Sequence, residues 1–156
     1  MKQLVKEIGN AIKLAIKKSQ TPCFRLNLTS DLAWESQKFN GVKLMEIFPN
    51  TQFYDYTKIP TRKVSHIKNY HLTWSYSEAN NKYAKLFDKV QCNKAVVFRK
   101  ELPETFKGLK VINGDKHDMR FLDEPNVVVG LLAKAKAKKD YSGFVVDNLI
   151  ETRAVV

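Results

Sequence analysis

Three short apolar runs in the first half of the chain each end in a cluster of polar residues. The runs begin at Phe24, Phe53 and His71, and each is followed by a segment with helix-like spacing. A strand, a polar tip and a helix in repetition form the sequence pattern of βα units. If the strands are parallel, their tips lie at one edge of a sheet, where α/β folds place their functional sites. The three tips are residues 29–31, 55–58 and 75–78.

The clearest helix is predicted at residues 2–19. Apolar side chains, including Ile8 and Ile12, recur there at spacings of three and four, and lysines occupy the opposite face. Pro22 ends the helix, because proline cannot continue it. We expect the apolar stripe to pack on the domain rather than lie on a membrane surface, because it has no Trp or Phe anchors.

The other elements follow from the same kinds of pattern. Strands are expected at 23–28, 52–56, 70–76, 95–98, 109–112 and 143–146, with a further apolar run at 127–133. Helices are expected at 33–48, 60–67 and 78–88, each opened by a capping residue or by proline.

Two segments allow more than one interpretation. Gly41 weakens the middle of the helix expected at 33–48, so this segment is either one helix or a turn followed by a shorter helix. The alternating lysines of 134–139 extend a hairpin with one basic face, or else form a mobile basic loop.

These patterns predict an α/β fold in a single domain that covers residues 1–156. The sheet is mixed, with mainly parallel N-terminal strands, and resembles part of a βα barrel. Residues 1–20 form the amphipathic helix, 23–100 the βα repeats and 101–156 an irregular segment with a hairpin. A chain of 156 residues can bury a core without disulfide or metal cross-links.

Charge suggests partners for this fold. The chain has 27 Lys and Arg against 16 Asp and Glu, for a net charge of +11. Such a balance favours a polyanion such as DNA or RNA or an anionic membrane surface, although a solvated lysine-rich surface also explains it. Cys23 and Cys92 are isolated, so we expect buried free thiols in a reducing cytoplasm. No apolar run approaches the roughly 20 residues that span a bilayer.

Several motifs together carry a family resemblance. The runs at 24–35, 53–58 and 69–78, with those at 113–123 and 143–146, resemble the phage-encoded "gene product 88" family and its uncharacterised relatives in phages and plasmids. The resemblance implies a phage or mobile-element origin and a partial βα barrel, but no particular activity. More distantly, the order of strand tips is similar to radical-SAM-type partial barrels, whose cluster needs a cysteine triplet that Cys23 and Cys92 cannot supply.

The strand tips form the first candidate site. Carboxylates beside Lys and Arg shift one another's pKa values and can serve as acid, base or anion clamp. The alternative is that the tips cap helices and that Lys58 and Glu78 form an ion pair between loops. The charged residues at the tips are Asp31, Asp55, Lys58, Glu78 and Arg99.

A second candidate is the run from Asp115 to Asp118. Its central His117 could act as a general base or join a metal site, although the spacing matches no metal signature and a polar surface loop explains it equally. We therefore predict no metal site and leave the cofactor unknown. The catalytic candidates become Asp31, Asp55, Lys58, Glu78 and His117.

Three functions remain open from the sequence. The first is non-specific nucleic-acid binding, in which lysines neutralise phosphates and exposed rings among residues 62–85 stack on bases. The second is an enzyme that acts on a nucleotide or nucleic acid at the strand tips, and the third is a protein that binds and blocks a host machine. The predicted phosphate contacts are Arg62, Lys63, Lys68, Lys134, Lys136, Lys138 and Lys139.

Overall fold

A computed structural model describes residues 1–76 and 85–147 of the chain. The α-helices are α1 (Lys2–Lys17) and α2 (Leu44–Ile47), and short 3-10 helices lie at Trp34–Ser36, Phe87–Lys89, Arg120–Leu122 and Ala135–Lys139. The strands are β1 (Cys23–Arg25), β2 (Lys38–Phe39), β3 (Val42–Lys43), β4 (Gln52–Thr57), β5 (Tyr70–Ser75), β6 (Lys94–Phe98), β7 (Thr105–Phe106), β8 (Leu109–Asn113), β9 (Val128–Leu132) and β10 (Val145–Val146).

The main sheet has the strand order β1-β4-β5-β6-β9-β8-β7, with β10 beside β6. The pairs β1–β4, β5–β6, β6–β9, β8–β9 and β6–β10 are parallel, whereas β7–β8 is antiparallel. Strands β2 and β3 form a separate antiparallel hairpin. The predicted α/β fold with a mixed, mostly parallel sheet is therefore confirmed.

The chain forms two compact units. The first unit comprises Met1–Asp55 and Arg62–His71. The second unit comprises Tyr56–Thr61 and the described residues from Leu72 onward.

In the first unit, α1 follows its predicted amphipathic pattern. Ile8, in the middle of the apolar stripe, is only 2% exposed, and its neighbours Leu4 and Ile12 are half-buried. The helix ends at Lys17, and Ser19 takes a left-handed conformation with φ of 53°. The burial of Ile8 and its neighbours agrees with packing of this part of the stripe on the domain, whereas Ile16 near the end of the helix is 66% exposed.

The continuous helix predicted at 33–48 is wrong, and the alternative of a turn with a shorter helix describes the segment. Strands β2 and β3 meet at Asn40 and Gly41, whose φ values are 52° and 83°. Two consecutive positive φ angles define a tight hairpin turn that Asn-Gly adopts readily and a helix cannot contain. The short helix α2 follows and buries Leu44 and Met45.

The helix predicted at 60–67 is also wrong, since this segment consists of turns and irregular backbone. Val64 is buried there, but the segment has no continuous apolar stripe, and helices in proteins draw their stability mainly from such a stripe. The end of this segment is anchored by Asn69 rather than by helical hydrogen bonds. The side-chain amide of Asn69 donates to the carbonyl oxygens of Met45, Phe48 and Thr51.

The second unit is built around an aromatic core. The rings of Trp74, Tyr76, Phe87 and Phe106 pack edge to face, with centroids 5.6–6.4 Å apart where they meet. Val96 in β6 and Val128 in β9 have no exposed surface. These strands are covered on both faces, as their uninterrupted apolar sequence predicts.

Two further predictions have mixed outcomes. The hairpin predicted at residues 134–139 is wrong, because a 3-10 helix covers Ala135–Lys139. Of the helix predicted at 78–88, residues 78–84, with the candidate Glu78, lie outside the described residues, and a 3-10 helix covers Phe87–Lys89.

Candidate functional site

Asp55 lies in β4 of the first unit and has no exposed surface. Its Oδ1 accepts hydrogen bonds from the backbone N–H groups of Leu26, at 2.9 Å, and Asn27, at 2.6 Å. Its Oδ2 accepts a third hydrogen bond from the hydroxyl of Tyr70, at 2.9 Å. Asp55 in β4 is therefore hydrogen-bonded both to the backbone that follows β1 and to Tyr70 in β5.

Arg62 brings two further carboxylates to this network. Its Nε and Nη2 donate to the two oxygens of Glu35, at 2.9 and 2.5 Å, and its Nη1 donates to Asp31 at 2.8 Å. Nη2 also donates to the hydroxyl of Tyr70, at 3.0 Å. We call these five residues the polar cluster: Asp31, Glu35, Asp55, Arg62 and Tyr70.

Burial governs the electrostatics of this cluster. Burial raises the pKa of Asp55, and the hydrogen bonds from Asn27, Tyr70 and Leu26 and the charge of Arg62 offset this only in part. The pKa of Tyr70 is raised by burial and by the neighbouring charge of Asp55. Burial lowers the pKa of Arg62, but the hydrogen bond to Glu35 and the nearby acidic groups outweigh it, so the pKa is raised overall.

Asn27 organises the loop that leads into the cluster. Its Oδ1 accepts hydrogen bonds from the Ser30 hydroxyl, the Leu32 N–H and the Trp34 indole N–H, at 2.8, 3.1 and 3.0 Å. Its Nδ2 donates to the carbonyl oxygen of Leu32 at 3.0 Å. The sequence analysis missed Asn27 and Glu35. An Asn between two leucines at the end of an apolar run was the one available signal for Asn27.

The arrangement of the cluster favours a structural role. Asp55 is enclosed, and its two oxygens already accept three hydrogen bonds, whereas a general base must reach a proton of the substrate. Of the predicted site residues, the structure brings Asp31 and Asp55 together, through Arg62 and Tyr70. Arg62, predicted as a phosphate contact, has a side chain that is only 5% exposed and forms ion pairs with two carboxylates.

Lys58 and His117 belong to the second unit. The Lys58 ammonium lies 5.7 Å from the ring centroid of Phe144, and its carbonyl oxygen accepts a hydrogen bond from the indole of Trp74. The Nδ1 of His117 lies 3.1 Å from a guanidinium nitrogen of Arg120. Both residues therefore contact groups of this unit.

The polar run around His117 surrounds a buried arginine. Arg120 has no exposed surface, and its guanidinium donates to the carbonyl oxygen of His117 and lies 3.3 Å from Asp123. Asp115 accepts hydrogen bonds from the Lys134 ammonium at 2.7 Å and the Leu132 N–H at 3.0 Å, and the bond from Lys134 lowers the pKa of Asp115 most. Within residues 1–76 and 85–147, no three His, Cys, Asp or Glu residues are grouped to hold a metal ion.

Arg99, at the end of β6, holds the segment that carries the lysines. Its Nη1 and Nη2 donate to the carbonyl oxygens of Lys138 and Asp140, both at 2.8 Å, and its Nε donates to Asp147 at 3.0 Å. The guanidinium also lies 4.3 Å from the ring centroid of Tyr141. We call residues 134–141 the basic loop.

The basic loop exposes its charged side chains. Lys136, Lys138 and Lys139 are exposed, and so is Lys134 beside Asp115. The ring of Tyr141 is 82% exposed, the most exposed of the large apolar and aromatic side chains that the structure describes. Lysines and an accessible ring thus lie on one short segment whose backbone Arg99 fixes.

The other predicted nucleic-acid contacts differ in placement. Lys63 and Lys68 are exposed on the first unit. The aromatic residues predicted to stack on bases are in the core, with Tyr70, Trp74 and Tyr76 between 1% and 5% exposed. The interleaved pattern of rings and lysines at 62–76 therefore reflects buried rings between surface lysines.

Two findings bear on the predictions from composition. Cys23 and Cys92 are half-buried thiols that are not joined in a disulfide, and burial raises the pKa of the Cys92 thiol. In the described part of the chain, none of the helices is both long and apolar enough to cross a membrane.

The sequence matches a protein family over almost its whole length. A model of the family described as Gene product 88 matches residues 1–148, which confirms the resemblance seen in the motifs. No curated protein matches the chain, and no solved structure matches it, so the likeness to radical-SAM-type barrels stays a prediction. With 148 of its 156 residues covered, the chain belongs to the Gene product 88 family of phage proteins.

Proposed function

We propose that this phage protein binds nucleic acid without sequence preference, through contacts between phosphates and the basic loop of its second unit. The observation that carries the proposal is a pair of hydrogen bonds, which the Arg99 guanidinium donates to the carbonyl oxygens of Lys138 and Asp140 in the loop. A fixed backbone presents the lysines together, and less conformational entropy is lost when they bind.

Charge and exposure support the same surface. Lys136, Lys138 and Lys139 project from one 3-10 helix and are exposed to solvent. Each lysine that neutralises a phosphate releases counterions, so such a surface binds DNA or RNA with strong salt dependence. The net charge of +11 adds long-range attraction for either polymer.

Tyr141 gives the loop a means to contact bases. Its ring is exposed and lies against the guanidinium of Arg99. Stacking of an unpaired base on an aromatic ring contributes about 1–3 kcal/mol and depends little on the identity of the base. We therefore expect tighter binding to single strands than to duplexes.

The enzyme hypothesis has less support in the geometry of the strand tips. Asp55, its central carboxylate, is fully buried, and Asp31 is paired with Arg62. A substrate would have to displace these contacts before either carboxylate could act on it. The hypothesis of a host-blocking protein predicts instead a complex from host lysate that survives nuclease treatment.

The proposal predicts that binding depends on the lysines of the basic loop. Fluorescence anisotropy with a labelled oligothymidine, at salt concentrations from about 50 to about 200 mM, measures both affinity and its salt slope. In the triple variant Lys136→Gln, Lys138→Gln, Lys139→Gln, we expect affinity to fall at least tenfold and the slope to fall by about 2, at about 0.7 per phosphate contact. Lys134 is left unchanged, because it pairs with Asp115.

A matched control removes the same number of charges elsewhere. Lys6→Gln, Lys13→Gln and Lys17→Gln on α1 alter exposed lysines of the first unit. This control should bind within about twofold of the unaltered protein. Equal losses in the two triple variants would assign binding to net charge alone, and absent or salt-independent binding would exclude the proposal.

A further inference from the structure

A pocket of about 350 Å³ opens in the second unit and shares no residue with the basic loop. Phe87, Val90 and Leu109 provide apolar surface in its wall. Its volume lies near the lower end of the range of about 300–1,000 Å³ typical of small-molecule sites. The charged groups in the same wall define the kind of ligand it fits.

Lys94, the first residue of β6, places a buried ammonium group in this wall. The residue is 6% exposed, and its Nζ lies 5.5 Å from the ring centroid of Phe87. Among the described residues, no carboxylate forms an ion pair with it. Burial lowers the pKa of Lys94, so a charged ammonium is costly here unless an anion approaches it.

Lys107 provides a second ammonium group. It lies in the tight turn between β7 and β8, where Lys107 and Gly108 have φ values of 48° and 78°. Its Nζ is 5.7 Å from the ring centroid of Phe87 and equally far from that of Phe106. Lys107 is exposed, and its ammonium lies beside the same aromatic residue that Lys94 contacts.

We propose that this pocket binds a small organic anion, whose phosphate or carboxylate group lies between Lys94 and Lys107 and whose apolar part contacts Phe87, Val90 and Leu109. The anion would offset the desolvation of Lys94 and pair with Lys107.

The remaining polar groups in the wall fit this assignment. Gln91 and Asn126 line the pocket, and a side-chain amide can donate hydrogen bonds to an anionic group. Asp88 also lines it and repels an anion, but its side chain is exposed and stays hydrated. The wall therefore has two ammonium groups for one screened carboxylate.

Isothermal titration calorimetry with four probes tests the proposal. Phenyl phosphate and benzoate each combine an anionic group with an apolar ring, inorganic phosphate has only the charge and phenol only the ring. We expect saturable binding of at least one organic anion, at least tenfold weaker binding of inorganic phosphate, and none of phenol. Whichever of phenyl phosphate and benzoate binds more tightly identifies the anionic group that the pocket takes.

Variants separate the pocket from general charge effects. Lys94→Met and Lys107→Gln should each weaken binding of the organic anion at least tenfold, while Lys89→Met, which removes an exposed lysine outside the pocket wall, should change it less than twofold. Circular dichroism and urea unfolding check that each variant is folded. All three should bind oligothymidine normally, so a failure here is distinct from a failure of the proposed function.

Two results would overturn the inference. One is the absence of saturable binding of both organic anions at millimolar concentration. The other is an affinity for the organic anion that stays the same in Lys94→Met, Lys107→Gln and Lys89→Met.

Discussion

Two buried ionisable side chains, Asp55 and Lys94, differ in how their surroundings compensate their charge. Asp55 accepts three hydrogen bonds and lies near the guanidinium of Arg62, and these contacts offset part of its loss of hydration. Lys94 contacts the ring of Phe87 and forms no ion pair within the part of the chain that the structure describes, and the nearby Cys92 and Asp88 offset its burial only in part. Removal of the two side chains should therefore change the free energy of unfolding in opposite directions.

For Asp55, we expect truncation to destabilise the protein. Asp55→Ala leaves the N–H groups of Leu26 and Asn27 and the hydroxyl of Tyr70 without their acceptor, at a cost of about 3 kcal/mol in the free energy of unfolding. Asp55→Asn keeps an oxygen acceptor and should cost less. Urea unfolding measures both, with Asp31→Ala as a control at a partly exposed carboxylate, where about 1 kcal/mol is expected. A smaller loss for Asp55→Ala than for Asp31→Ala would contradict the role assigned to Asp55.

For Lys94, we expect Lys94→Met to stabilise the protein in a pH-dependent way. The pKa of Lys94 is lowered on folding, so the unfolded chain binds this proton more readily than the folded protein does. The cost is fully present below the folded pKa and disappears as the pH rises toward the unfolded value of about 10.4. Urea unfolding should show a gain of about 1 kcal/mol at neutral pH and a smaller gain near pH 10. A gain that is independent of pH would show that the methionine acts by packing alone.

At the scale of elements, strands were predictable and the connections between them were not. Strands β4, β5, β6 and β8 lie within a residue or two of their predicted bounds, because each is a run of aromatic or β-branched residues between turn signals. The helix expected at 33–48 failed at Asn40-Gly41, where two residues of local turn chemistry outweigh the helical spacing around them. Spacing alone does not show which of these two signals prevails.

Substitutions at two glycines test whether local backbone preference determines these elements. At Gly41, φ is +83°, so Gly41→Ala forces alanine into the left-handed region and should destabilise the protein by about 1 kcal/mol, although no atom lies within 4 Å of the added Cβ. At Gly9, inside α1, the added Cβ is equally unobstructed, and Gly9→Ala should stabilise by about 0.5–1 kcal/mol through helix propensity. Thermal unfolding of both variants measures the difference. Shifts of the same sign would contradict a backbone origin.

At the scale of the whole molecule, residue types could be predicted from local patterns, but their partners could not. Asp31 and Asp55 were found from the strand tips, whereas Arg62 was expected on the surface because it precedes Lys63 in a basic stretch. Its burial depends on ion pairs with Glu35 and Asp31, which lie 27 and 31 residues away in the sequence, and a local sequence pattern does not indicate such a pairing. The net charge of +11 likewise indicates a class of partner without indicating which lysines lie together.

The distribution of buried surface predicts how stability varies along the chain. Val96 in β6 and Val128 and Val129 in β9 have no exposed surface, and β6 pairs with β5, β9 and β10. Amides in these strands should exchange with deuterium only through global unfolding. Strand β1 has three residues at one end of the strand order, and all three are half-buried, so its amides should exchange faster through local opening. Hydrogen exchange followed by NMR measures both rates, and equal protection of β1 and β6 would mean that the sheet opens as one cooperative unit.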